Sequence, residues 1–240
     1  QPGSVSATIG TSGVVFAATA EPTKEPKGRM HTFCHAVPGV WHVMGVTQSA
    51  GQSFRWLKET FFAGQSYDAL TTGAEKVAAG SEGLIWAPYL LGERTPHLDP
   101  EVRAAFACIG PTHTAAHFVR AVLEGVAYSL QDTFMLFAEL GIPVSAVRLG
   151  GGGARGPLWR RIQAGVYGQA VEILTAEEGG AFGCALMAGV GTEHWANLDA
   201  ACAEAIEVAQ RIEPDPDDLP AYKAGYAHWC KLYPALKTLR

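Results

Sequence analysis

Three short glycine-rich stretches hold the residues whose types and spacing could do chemistry. Residues 148–161 read RLGGGGARGPLWRR, in which Gly151, Gly153 and Gly156 spell G-x-G-x-x-G between an apolar run and a helix-like stretch from Leu158. The other two are Ile9-Gly-Thr-Ser-Gly13 and Glu178-Gly-Gly-Ala-Phe-Gly183. Glycine lets a backbone approach a ligand and leaves N–H groups free to point at it. A helix that starts after such a turn adds its positive N-terminal end, which suits phosphate. A single turn of this kind is explained by sterics alone, whereas three in one chain point to a nucleotide. A P-loop is excluded, because G-x-x-x-x-G-K-[ST] occurs nowhere. A dinucleotide site has its fingerprint and an acidic residue at about the right distance, Glu172. A Rossmann unit, however, places the fingerprint after its first strand. Here the fingerprint begins only at Gly151, and Glu172 falls inside a short strand, 170–174. NAD is therefore the minor reading.

Other constellations carry less. His113 and His117 stand four apart, but the glutamate of H-E-x-x-H and a third ligand are missing. His31-x-x-Cys34-His35 reads as a loop without a second ligand pair. Asp99, before Pro100, reads as a turn residue, and Asp132, on a long helix, as a solvated or paired carboxylate. Tyr222, Tyr226, Trp229 and Tyr233 recur at helical spacing and read as packing. Ser12 lies in G-T-S-G rather than G-x-S-x-G, which gives no support to a hydrolase.

The elements that must position these turns begin with β-rich residues 4–18 around Gly10–Gly13, then a strand at 41–46, which together read as an antiparallel meander. Helices are expected at 51–62 and 67–79, and a buried strand at 83–91. The longest helix starts from a Thr112 or Thr114 cap and runs to about Leu140, where Gly141 and Pro143 stop it. Strand 146–149, helix 157–168, strand 170–174 and helix 180–190 follow, an alternation that implies a parallel portion of sheet. Helices at 199–212 and 222–239 close the chain around a Pro214–Asp218 linker.

The chain has 240 residues, 48% apolar and 17% charged, which suits one large globular domain or two small ones. A net charge of −5 argues against nucleic acid as the partner. The best apolar run, 181–190, is short for a membrane span, and the opening residues lack a signal-peptide pattern. Five scattered cysteines fit a reduced, cytoplasmic setting. The chain opens without methionine, directly on a strand-like segment, so a fragment is expected.

At this level of detail the sequence resembles the C-terminal domain of the FGGY family of carbohydrate kinases, most closely its xylulokinase-like members. The matching stretches are Ile9–Gly13, AGQSFRWL (50–57), PYLLGERTPH (88–97), HFVRAVLEGVAY (117–128), GGGAR (151–155) and residues 178–186, in the family's order. The resemblance implies an α/β fold of the actin-like, ribonuclease-H-like ATPase class. Its mixed sheet is antiparallel at the start and parallel later, flanked by helices, with residues 1–240 as one ATP-binding domain. It implies ATP with Mg²⁺ and a small sugar, D-xylulose foremost, with glycerol, ribulose, gluconate and fuculose as alternatives. Gly10, Thr11 and Ser12 would face the terminal phosphates, Gly51 and Arg55 lie near the nucleotide, and Gly152, Gly153 and Ala154 match the adenosine motif. Glu93, Arg94 and Thr95 would face the cleft in no assigned role. The family's catalytic aspartate and its N-terminal sugar-binding domain would lie upstream of Gln1, so no catalytic residue is expected here and the isolated chain is expected to be inactive. An N-terminal kinase domain is the expected partner, and a homodimer stays open. Cys108, Gly156 and Gly165 depart from the family's usual residues, glycine, a small polar residue and aspartate respectively. Two readings remain beside this one, a nicotinamide oxidoreductase and a non-catalytic nucleotide-binding module.

Overall fold

Strict alternation in Ser4–Ile9 (β1) puts Val5, Ala7 and Ile9 on one buried face, and Gly13–Thr19 (β2) returns antiparallel with Val15 and Ala17 on that same face. The computed structural model describes residues 3–176 and 179–239. His31–Cys34 (β3) and Trp41–Thr47 (β4) complete the meander, with β4 antiparallel to both β2 and β3. From sequence, His31–Cys34 reads as part of a loop. The segment is instead a short edge strand, and its half-exposed pattern hides the alternation that marks a strand.

Ala50–Phe61 (α1) buries Phe54 and Leu57, as their spacing predicts. Tyr67–Ala74 (α2) starts at Ser66, whose side chain accepts the Ala69 N–H at 3.1 Å, and it ends earlier than its apolar pattern indicated. Of the expected strand 83–91 only Ile85–Ala87 (β5) forms, paired with Ala105–Ala107 (β6) in a separate two-stranded ribbon. Ala115–Glu139 (α3) is the spine of the molecule. It is buried from Val119 to Leu130 without interruption, because the sheet, α1, α2 and β5 pack around it. Thr114 sits at its N-cap position, with its N–H donated to His117 Nδ1 at 3.1 Å.

Ala146–Gly151 (β7) runs parallel to β1, and Val171–Leu174 (β8) parallel to β7, with Pro157–Tyr167 (α4) crossing between them. Gly179–Gly191 (α5) follows, and Glu178 of the third glycine stretch lies outside the described residues. The expected helix 199–212 splits into Leu198–Ala205 (α6) and Val208–Ile212 (β9), which pairs antiparallel with β8. β9 is exposed along most of its length and shows no alternation of burial, so the open edge of β8, which offers the backbone partners, decides it. The expected closing helix likewise divides into Leu219–Trp229 (α7) and Leu232–Lys237 (α8). The main sheet has seven strands in the order β3-β4-β2-β1-β7-β8-β9. β1 therefore lies at its centre, between the antiparallel and parallel halves, and both glycine turns of interest leave the same end of β1 and β7. Among the described residues no helix is long and apolar enough to cross a membrane.

Candidate functional site

The turn after β1 and the turn after β7 are brought side by side by the parallel register, in which Ile9 faces Gly151. Between them and α1 lies a cleft of about 480 Å³. Of the residues singled out from sequence, Gly10, Thr11, Gly51, Arg55, Gly152 and Gly153 line it. Ser12 and Ala154 lie beside it without lining it. The Ser12 carbonyl accepts the Gly10 N–H at 2.9 Å, and Ala154 is buried with its carbonyl taken by Arg160 Nε.

The glycines of this region do different jobs. A side chain at Gly151, where φ is +72°, would come within 2.5 Å of the Ile9 carbonyl, and one at Gly153 within 2.6 Å of Ile9 Cβ. Both are required by the close approach to β1. A Cβ at Gly152 would find only the Ile9 carbonyl at 3.8 Å, and one at Gly156 would find nothing within 4 Å. Packing therefore does not require Gly152. Its exposed backbone faces the cleft. Gly156 matters for the dinucleotide reading, because the third glycine of that fingerprint serves close helix–strand packing. No such neighbour exists here. Glu172 is also occupied elsewhere, paired with Arg148 and Arg211 at 3.4 Å each.

Gly51 makes the tightest joint. Its N–H donates to the Gly10 carbonyl at 2.9 Å, and Gln52 N–H donates to Thr11 O at 3.1 Å. The first amides of α1 thus hold the carbonyls of the β1–β2 turn, which orients that turn from behind. Cleft residues that the sequence reading missed include Phe54, Tyr67 and Trp159, which form an aromatic wall with Phe54 edge-on to both partners. Their helical periodicity marked Phe54 as packing, and only the meeting of α1, α2 and α4 shows the shared surface. Arg55 and Arg155 contribute cationic groups and Asp68 a carboxylate. The third glycine stretch does not join the site, for Gly179, Gly180 and Gly183 do not line the cleft.

Asp132 and Asp99 are held in structural roles. Asp132 is buried, accepts the Tyr226 hydroxyl at 2.6 Å, and is pushed up to about 7 by burial. Asp99 caps a turn by accepting Glu101 N–H and Val102 N–H through Oδ1 and binds the Tyr233 hydroxyl through Oδ2. His113 and His117 accept the amides of Gly110 and Thr114, which is turn and cap chemistry. Glu93 and Thr95 do not line the pocket between the two turns and α1. Both are buried, and only Arg94 between them is exposed.

Comparison with known proteins extends this geometry. The description "FGGY family of carbohydrate kinases, C-terminal domain" matches residues 5–192. The chain belongs to the FGGY family of carbohydrate kinases. This FGGY chain is 37% identical over 232 residues to a xylulose kinase of Staphylococcus epidermidis, covering 96% of the chain and 47% of that relative. It is 31% identical to a gluconokinase of Bacillus subtilis, over 92% of the chain and 45% of the relative. It superposes on a crystal structure described as a xyloylose kinase from Brucella ovis with TM-score 0.92 and 30% identity, over 100% of the chain and 49% of that one. The FGGY chain thus spans about half the length of the relatives it matches. Its mixed sheet and flanking helices are those of the actin-like ATPase fold.

Two departures from the family pattern acquire physical reasons. Cys108 has φ +64°, the left-handed conformation that glycine adopts without strain. Gly165 faces Tyr222, whose ring would collide with any side chain placed there. An aspartate at 165 and this tyrosine position exclude each other.

Proposed function

We propose that this chain is the nucleotide-binding half of an ATP-dependent sugar kinase, with D-xylulose as its first acceptor to test. The observation that supports this most is the convergence of the β1–β2 and β7–α4 turns on one cleft, with Gly152 offering bare backbone where no packing demands it. The cleft is also large enough for a nucleotide, because ligand pockets run from roughly 300 Å³ upward. In this reading the adenosine lies against Gly152 and Gly153, and the phosphates extend toward Gly10, Thr11 and Ser12. Arg55 supplies positive charge near them, and the aromatic wall of Phe54, Tyr67 and Trp159 gives the base an apolar surface.

Mg²⁺ would neutralise charge shared between the terminal phosphates. It takes most of its ligands from phosphate and water. Among the described residues no cluster of three or more histidine, cysteine, aspartate or glutamate side chains could hold a metal. At the proposed phosphate end the Thr11 hydroxyl lines the cleft, whereas Asp68 stands beside Tyr67 of the aromatic wall, which fits an ion that arrives with the nucleotide.

Sugar phosphorylation also needs a base in line with the transferred phosphoryl group. The reading assigns that base to an aspartate outside residues 1–240 and the sugar contacts to an N-terminal kinase domain. The exposed apolar surface of α5, including Ala181, Ala185 and Met187, is consistent with such a partner. Xylulose kinase relatives favour a pentulose, and the gluconokinase relative keeps gluconate as the second substrate to test.

The experiment is a calorimetric titration of the chain with ATP and with NAD, followed by a coupled ADP-release assay with D-xylulose. Binding of ATP alone and no turnover are expected. Binding of NAD in preference to ATP would overturn the nucleotide assignment, and steady turnover would overturn the assignment of the base to another domain.

A further inference from the structure

Glu93 belongs to a stretch, GERTPH, that neither the cleft nor the proposed chemistry absorbs. It is 3% exposed and has no cationic partner among the described residues, and such a buried carboxyl is costly unless it holds something in place. Its Oε1 accepts two backbone amides, Gln48 N–H at 2.9 Å and Arg94 N–H at 2.7 Å. Thr95 fixes the same loop to the same strand end. Its N–H donates to Val46 O at 2.9 Å, and its Oγ1 accepts the Val46 N–H at 3.0 Å. The end of β4 and the start of α1 are thereby held at two places. Glu93 grips Gln48, and three residues later Gly51 and Gln52 grip the carbonyls of Gly10 and Thr11.

We infer that Glu93 is a positioning residue, which sets the β4–α1 connection and through it the β1–β2 turn on which the nucleotide phosphates are proposed to lie. The inference rests on the nucleotide reading for its consequence but not for its geometry. The path is short and continuous, running Glu93 to Gln48, then through Ser49 and Ala50 to Gly51, then to Gly10. Ser49 offers α1 no side-chain cap, so the entry of that helix is fixed by these backbone contacts instead. The Glu93 loop is itself secured from the far side. Glu93 and Asp99 exchange backbone hydrogen bonds at 2.8 Å in both directions, Asp99 accepts the Tyr233 hydroxyl at 3.0 Å, and His97 stacks on the Tyr233 ring at 3.6 Å. The C-terminal helix α8, beyond the residues that match the family, thus buttresses the connection.

A filler role and a positioning role differ in what they move. The test measures affinity for ATP and for AMP, together with amide hydrogen exchange at Gly51 and Gln52, in wild type, Glu93→Ala, Glu93→Asp and Glu93→Gln. AMP reaches the adenosine end alone, whereas ATP also needs the phosphate turn. Expected for Glu93→Ala and Glu93→Asp is a loss of ~10-fold or more in ATP affinity, AMP affinity within ~2-fold of wild type, and faster exchange at Gly51 and Gln52. Glutamine keeps the acceptor oxygen and is expected to restore all three. Glu93→Asp covers the case in which the alanine variant fails to fold. Lowered thermal stability with the ATP-to-AMP ratio and both exchange rates unchanged would overturn the inference. If wild type binds neither nucleotide, the nucleotide reading fails by itself, and exchange at Gly51 and Gln52 still decides whether Glu93 positions the turn.

Discussion

Gly51 donates its amide to the Gly10 carbonyl at 2.9 Å, so that helix α1 and the β1–β2 turn meet backbone to backbone. A methyl group on Gly51 would run into that same carbonyl oxygen. Gly51→Ala is expected to push α1 off the turn and lower ATP affinity ~10-fold, which corresponds to a loss of about 1.4 kcal/mol of binding. Calorimetry against wild type checks it, and unchanged affinity would remove Gly51 from the site.

Gly152 and Gly153 separate ligand space from packing space. Gly153→Ala forces Cβ against Ile9 and is expected to cost ~2 kcal/mol in denaturant unfolding. Gly152→Ala meets only open cleft, so stability should hold within ~0.5 kcal/mol while ATP binding weakens. A stability loss at Gly152 equal to that at Gly153 would contradict the division.

Gly165 and Tyr222 are coupled through a single contact. Gly165→Ala is expected to destabilise by ~2 kcal/mol in the wild type and by far less in a Tyr222→Ala background, where the ring is gone. A double-mutant cycle reads the coupling directly. Additive costs would show that the ring is not the obstacle.

Cys108 holds φ +64° while exposed to solvent. Cys108→Gly is expected to stabilise the fold by ~0.5 kcal/mol, because relief of the left-handed strain outweighs the added freedom of the unfolded chain. Cys108→Val should destabilise by more than ~1 kcal/mol, since a β-branched side chain is worst in that conformation. Chemical denaturation of both variants distinguishes strain from thiol chemistry.

Burial pushes Glu93 up to about 8 and Asp132 up to about 7, and the nearby Asp132 charge adds to the rise at Glu93. Each group binds its proton more tightly folded than unfolded. Its contribution to stability is therefore full below its unfolded value, near 4.5 for Glu93, and is lost as pH rises through the folded value. His97 is pulled down to about 4 by burial and works in the opposite direction below pH 6.5, so the clearest window lies between pH 6.5 and 8. Unfolding free energy is expected to fall with pH across that window in wild type and to be flatter in Glu93→Gln. Equal slopes in the two proteins would show that Glu93 does not titrate there.

How much of this was legible in the sequence varies with the range of the interaction. The alternation in β1 and β2, the run of α3 to Gly141, and the two glycine turns at strand ends are local, and the sequence alone determined them. The same holds for family membership, because motifs in fixed order do not depend on contacts. What the sequence misassigned needed partners from far away. Residues 208–212 form a strand because β8 presents an open edge, and residues 31–34 become a strand because β4 lies beside them.

The site divides in the same way. Gly10, Gly51 and Gly152 were visible as glycines in suggestive places, but only the parallel pairing of β1 with β7 shows that two of the three turns share a cleft. The register that made Gly151, Gly153 and Gly156 look like a dinucleotide fingerprint lost its meaning once Gly156 proved to have no packing neighbour. Glu93 shows the limit most plainly. The resemblance placed it in a loop without an assigned role, and only burial beside the end of β4 shows the two backbone amides it holds. Sequence specifies propensity and spacing, which act within a few residues. Burial, collision and hydrogen-bond partnership depend on distances through space, and those are set only when β1, α1, α3 and the loop at 92–99 close around one another.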